Sequence, residues 1–161
     1  MNYFVLLLGL LLSMPSVADV RDIKKPVENV NSSMNSVEKK VREAAVKITK
    51  PFTGGHGSGS YILYKDLNLV ITAQHVTDGA LGTNYLVTHG SESRIATLIY
   101  SDAVDDIAVL YFSMEFFTIE PMKYNPLGSI AGVGTEIFYS GFPSSHKLMS
   151  FNGRVAGYEN S

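Results

Sequence analysis

Residues 68–76 read Asn68-Leu69-Val70-Ile71-Thr72-Ala73-Gln74-His75-Val76. A short apolar run, β-branched at its centre, ends on a small residue, an amide and a histidine. The run predicts a strand near 68–73 (NLVITA), with His75 just past its end. There the chain turns and a side chain can be presented at a rim. Ala73 is small enough to let another backbone approach. A lone histidine after a strand is more often structural than catalytic, so its meaning depends on what the remaining chain brings near it.

Outward from this stretch, similar signals recur at short intervals. Strands are expected near 44–49 (AAVKIT), 59–64 (GSYILY), 84–88 (NYLVT), 93–100 (SRIATLIY), 107–112 (IAVLYF), 134–140 (GTEIFYS) and 148–157 (LMSFNGRVAG). Turn clusters separate them: Thr53-Gly54-Gly55, Lys65-Asp66-Leu67, Thr88-His89-Gly90 and Ser101-Asp102. Many short strands without intervening long helices mean an all-β antiparallel barrel or sandwich. One short helix is expected before the first strand, with Asn35 as N-cap and Glu38 as its reciprocal partner. Val37, Val41 and Ala45 would line one face of it. The helix must be short, because Ala45 to Thr49 already alternates like a strand. Residues 113–130 hold Pro121, Pro126 and Gly128, break the strand rhythm, and read as a connector to a second β unit.

Composition narrows the function classes. The chain has 161 residues, with 13 basic against 15 acidic and a formal net charge of −2. That balance argues against a nucleic-acid binder driven by phosphate contacts. There is no cysteine, hence no disulfide framework, thiolate zinc site or cysteine nucleophile within these residues. Charged residues make up only 17%, with 14 glycines and nine tyrosines, a profile that leans towards β structure.

The start of the chain reads as an export signal. Residues 4–12 (FVLLLGLLL) are an apolar run too short to span a bilayer as a helix. Ser16-Val17-Ala18 then offers small residues for a signal peptidase, which places cleavage after Ala18. No Lys or Arg precedes the apolar run, and an uncleaved anchor or a buried terminal helix is the competing reading. Exported and without cysteine, the mature protein would depend on its core alone.

Three clusters could carry chemistry. The first is Thr72-Ala73-Gln74-His75-Val76. The second, Asp102-Ala103-Val104-Asp105-Asp106-Ile107-Ala108-Val109-Leu110, sets three carboxylates before an apolar strand. Asp102 reads as a solvated turn residue that keeps an edge polar. Strand parity separates Asp105 from Asp106, so that one can be buried beside a histidine while the other meets water. The third, Gly54-Gly55-His56-Gly57-Ser58-Gly59-Ser60, is not a phosphate-binding loop, since no Lys-Ser or Lys-Thr follows. Its glycines would permit positive φ and close strand packing. His56 and His75 raise the question of a metal, but no third ligand has convincing spacing, and no metal or other cofactor is expected.

These clusters, in this order, resemble the trypsin-like serine peptidases of the chymotrypsin fold, most nearly the bacterial Deg/HtrA-like branch. Gly57-Ser58-Gly59-Ser60-Tyr61-Ile62 is similar to the family's Gly-Ser-Gly-aromatic-Ile strand. Val70-Ile71-Thr72-Ala73-Gln74-His75-Val76 is similar to its Thr-Ala-x-His segment, whose His is the general base. Asp106-Ile107-Ala108-Val109-Leu110 is similar to its Asp-Ile-Ala-Val-Leu strand, whose Asp orients that His. Residues 134–143 and 151–157 are similar to the first two strands of the family's second barrel. The resemblance implies catalytic roles for His75 and Asp106. It also implies a chymotrypsin-like barrel followed by an incomplete second one.

The family's nucleophile lies in a Gly-x-Ser-Gly-Gly segment, which these 161 residues do not contain. Ser144 and Ser145 are candidates by composition only, since their flanks do not match. The expectation is therefore an exported trypsin-like serine endopeptidase, secreted or periplasmic, whose nucleophile is not within the chain. The chain alone would be inactive. The alternatives are a non-catalytic β-barrel relative that binds peptides or proteins by edge pairing, and a cysteine peptidase of the same fold. Expected partners are a protein or peptide substrate and a complementary chain completing the second barrel. Nucleic acid, and any membrane beyond the signal peptide, are not expected. The implied organisation is a signal peptide at 1–18, a polar leader at 19–36, a first barrel at 37–113, a connector at 114–130 and the start of a second barrel at 131–161.

Overall fold

The computed structural model describes residues 33–124 and 130–159. The expected signal peptide, most of the polar leader and part of the connector lie outside the described residues. The first described element is α1 (Ser36–Glu43). Asn35 Oδ1 accepts the backbone N–H groups of Val37 and Glu38, both at 2.9 Å, and Glu38 Oε2 accepts that of Asn35 at 2.6 Å. This reciprocal cap satisfies donors that the helix start would otherwise leave open. The helix ends at Ala44, so Ala45 opens the first strand instead of continuing the face of Val37 and Val41.

Six strands then form a closed antiparallel barrel, the chymotrypsin-like fold: β1 (Ala45–Thr49), β2 (His56–Tyr64), β3 (Leu67–Thr72), β4 (Asn84–His89), β5 (Glu92–Asp102) and β6 (Ile107–Phe112). The order is β1-β4-β5-β6-β3-β2, and pairing of β1 with β2 completes the ring. Closure leaves no open edge along these strands. Alternate residues point inward, so Val46, Ile48, Tyr61, Val70, Tyr85, Val87, Leu98, Leu110 and Phe112 make one buried cluster. Buried tyrosines need a partner for the hydroxyl. Tyr61 donates to Asn68 Oδ1 at 2.7 Å, and Tyr85 accepts from the Gly79 N–H at 3.0 Å. Lys65 and Asp66 both take positive φ (47° and 64°) in the tight turn joining β2 to β3.

Some elements differ from the sequence expectation. β2 begins at His56, three residues early, because the stretch read as a glycine loop pairs with β1 from Thr49↔His56 to Ala45↔Ser60. Gly59 allows this: a Cβ there would meet Val70 Cγ1 at 2.4 Å and Ile48 Cδ1 at 2.9 Å. In the connector, β7 (Met122–Lys123) pairs in parallel with β2 at Ile62 and Leu63. Two residues carry no period, so nothing in the sequence marks it. Beyond it, β8 (Glu136–Gly141) and β9 (Met149–Arg154) form a separate antiparallel pair. Both are shorter than expected. Gly134 turns at φ 86° before β8, and the ladder stops at Arg154.

Candidate active site

Strand register builds the site. β3 and β6 pair through Thr72↔Ala108, which sets the end of β3 beside the start of β6. Thr72 is buried and donates through Oγ1 to the Ser58 carbonyl at 2.7 Å. After Ala73 the chain makes one tight 3₁₀ turn, Gln74–Val76. Val76 turns down into the core beside Gly57, where a Cβ would meet both Val76 methyls at 2.5 Å. With Val76 anchored inward, His75 is carried outward, its side chain 73% exposed.

Asp106 closes the turn before β6 and takes positive φ (52°). Its carboxylate grips His75 at two points. Oδ1 accepts the His75 backbone N–H at 3.0 Å, and Oδ2 lies 2.8 Å from Nδ1. Its carbonyl also accepts the Gln74 N–H at 3.1 Å. The His75 backbone N–H, then the ring contact, hold the Asp106 carboxyl below its usual range. An ionised carboxylate can only accept, so the contact places a proton on Nδ1 and, in the neutral ring, leaves Nε2 as the acceptor.

Two points of the carboxylate reading change. Asp105 and Asp106 lie in the turn ahead of β6, so strand parity does not separate them. Instead Asp102 Oδ1 accepts the N–H groups of Val104 and Asp105, at 2.8 and 3.2 Å, and the left-handed step at Asp106 aims the last carboxylate at His75. Nor is Asp106 buried: its side chain is 49% exposed, because hydrogen bonds and not packing hold it.

Gly57, Ser58, His75, Phe142, Pro143 and Ser144 line one open cleft, together with His56 at the start of β2. The far wall is tied down by Ser58, whose Oγ accepts the Phe142 N–H at 2.7 Å. Ser144 sits in the left-handed region (φ 42°, ψ 50°) within the turn Pro143–Ser145, and Ser145 ends that turn. Among the described residues no three His, Asp or Glu side chains gather in a metal-binding group. Lys50 also reaches the site. Its Nζ donates to the His75 carbonyl at 3.3 Å and to Asp78 Oδ2 at 2.8 Å. Lys50 does not stand out in sequence as part of this site, and the tie of Ser58 to Phe142 is not legible either, since each meets its partner across a long stretch of chain.

Residues 57–161 match a family model described as a trypsin-like peptidase domain. Three solved structures share the fold. Rv3671c from M. tuberculosis, in an inactive mutant form, is 23% identical with a TM-score of 0.56, over 74% of this chain and 53% of that one. The Rv3671c protease in an inactive form is 23% identical with a TM-score of 0.58, over 76% and 57%. A serine endoprotease from Yersinia pestis is 20% identical with a TM-score of 0.59, over 74% and 42%. The chain thus spans about half the length of the structures it matches. No curated protein sequence matches it significantly.

Proposed function

This chain belongs to the trypsin-like peptidase family, and from that membership we propose that it is part of an exported serine endopeptidase. His75 is its general base and Asp106 the residue that orients it. The observation that carries the reading is the two-point grip of Asp106 on His75, at 2.8 and 3.0 Å. A serine hydroxyl is a poor nucleophile at neutral pH and needs an adjacent base. His75 Nε2 takes that proton as the serine oxygen attacks the peptide carbonyl, then returns it to the leaving amine. Asp106 holds the Nδ1 proton and stabilises the imidazolium that forms.

The nucleophile belongs to a Gly-x-Ser-Gly-Gly segment that these residues do not contain, carried by more chain or by a complementary chain. The substrate is a protein or peptide, and the reaction needs no cofactor. The place of action is secreted or periplasmic, on the strength of the apolar run and small residues at 4–18. No helix among the described residues is long and apolar enough to cross a membrane.

Fluorophosphonate labelling tests the reading. The 161-residue chain alone is expected not to label. A product of the same reading frame that carries a Gly-x-Ser-Gly-Gly segment is expected to label, and to lose labelling in His75→Ala. Labelling of the short chain that disappears in Ser144→Ala or Ser145→Ala would relocate the nucleophile. No labelling of the longer product would favour a peptide-binding barrel.

A further inference from the structure

His75 presents three polar groups besides Nε2: its backbone N–H, its backbone carbonyl and its ring Nδ1. Asp106 takes the N–H and Nδ1. The third, the carbonyl, is taken by Lys50 Nζ at 3.3 Å. A carboxylate thus sits on the donor end of the residue and an ammonium on its acceptor end. Packing of Val76 anchors the turn, but it does not fix the ring of His75, whose side chain is 73% exposed.

We propose that Lys50 is a positioning residue for His75, clamping the carbonyl side of the 3₁₀ turn so that the ring stays on Asp106. The inference rests on the reading of His75 as the base. Lys50 is itself well fixed. It follows the last residue of β1, its backbone N–H donates to the Gly55 carbonyl at 2.7 Å, and its side chain is only 22% exposed. Asp78 Oδ2 holds Nζ from the other side at 2.8 Å. Hydrogen bonding to Lys50 is the largest influence holding the Asp78 carboxyl below its usual range, so that carboxylate stays charged at neutral pH. The clamp therefore runs Asp78–Lys50–His75 carbonyl on one side and Asp106–His75 on the other. Losing Lys50 frees the carbonyl end, lets the turn rotate, and weakens the bond that selects the Nδ1–H tautomer. A histidine side chain without partners favours the proton on Nε2, the atom that must be basic here.

Nuclear magnetic resonance of the isotope-labelled chain tests this, read above the imidazole titration range. In the unaltered chain the His75 ring is expected as the Nδ1–H tautomer, with its backbone amide protected from exchange. Lys50→Met should shift the ring towards Nε2–H and speed exchange of the His75 amide about ten-fold, the equivalent of one charge-assisted hydrogen bond. The Val70 and Leu110 amides should not change. Lys50→Arg should restore the tautomer, and Asp78→Asn should move it part of the way. An unchanged tautomer and unchanged His75 exchange in Lys50→Met would overturn the proposal, as would a rise in exchange spread across the barrel. If Lys50→Met does not fold, Asp78→Asn decides by the same two signals. The two signals do not involve peptide hydrolysis, so failure of the longer, Gly-x-Ser-Gly-Gly-bearing product to label would count against the functional reading, while the tautomer and exchange in Lys50→Met report on the clamp separately.

Discussion

Ile48 and Phe151 both lie on antiparallel strands, yet Ile48 is fully buried and Phe151 is 39% exposed. The difference is closure. The barrel of β1–β6 returns on itself, so its inward residues are walled on every side. Among the described residues β8 and β9 pair only with each other, and a two-stranded sheet is marginal by itself. Tyr139 and Phe151 stack at 5.1 Å, but both remain largely open to solvent, as do Ile137 and Met149. The hairpin is held by tethers to other elements. Arg42 of α1 donates to the Leu148 carbonyl at 3.2 Å and to Ser150 Oγ at 3.0 Å. Ser58 of β2 receives the Phe142 N–H, and Gly141 lies so close that a Cβ would meet Ser58 Oγ at 2.6 Å. The histidine turn belongs to the closed region, while the opposite wall of its cleft belongs to the tethered one.

The contrast can be broken most sharply in the barrel. Leu110→Ala, at a fully buried position, should cost about 2–5 kcal/mol in chemical denaturation. A loss below about 1 kcal/mol would mean that the closed sheet is not the stabilising unit. Gly57→Val pushes a side chain into Val76 and should cost about 1–3 kcal/mol. It should also disturb His75 resonances more than those of β5, which sits across the barrel from β2.

Arg42→Ala tests the tethers. The loss of about 1.5–3 kcal/mol, the range for hydrogen bonds involving a charged group, should appear as faster amide exchange in β8 and β9. Equal acceleration in β1–β6 would show that the two regions open together. Phe151→Ser should cost under about 1 kcal/mol, because its ring is already partly in water. Acidification gives the most local effect. The Asp106 carboxyl is held low in the folded state, chiefly by the His75 N–H. Its contribution is present above the unfolded carboxylate value and is lost as pH falls through the lowered folded one. Protection of the His75 amide should therefore persist at neutral pH and fade only in acid. Loss of that protection well above the carboxylate range would contradict the assigned bond.

Particular residues show why some of this could be read in advance. The apolar runs in 68–73 and 107–112 are local, so both strands were legible from neighbouring residues. The helix cap was legible because Asn35 and Glu38 lie three residues apart. Asp106 was singled out by its likeness to a known strand, but its exposure and its place in a turn were not legible. Those depend on the left-handed step at φ 52°. β7 was missed because its two pairs with β2 depend on register alone.

Short-range order was therefore decided by the chain itself: period-2 strands, turn residues with positive φ, a capped helix, and a histidine placed just past a strand end. Backbone sterics and burial act between near neighbours, and these leave a pattern that adjacent residues display. Which atoms meet that histidine was decided only by the tertiary structure. Lys50 is 25 residues before it, Asp106 is 31 after it, and Ser58 reaches Phe142 across 84. Such meetings are set by how strands register around a closed barrel, and a shift of one residue in any pair would bring different side chains together.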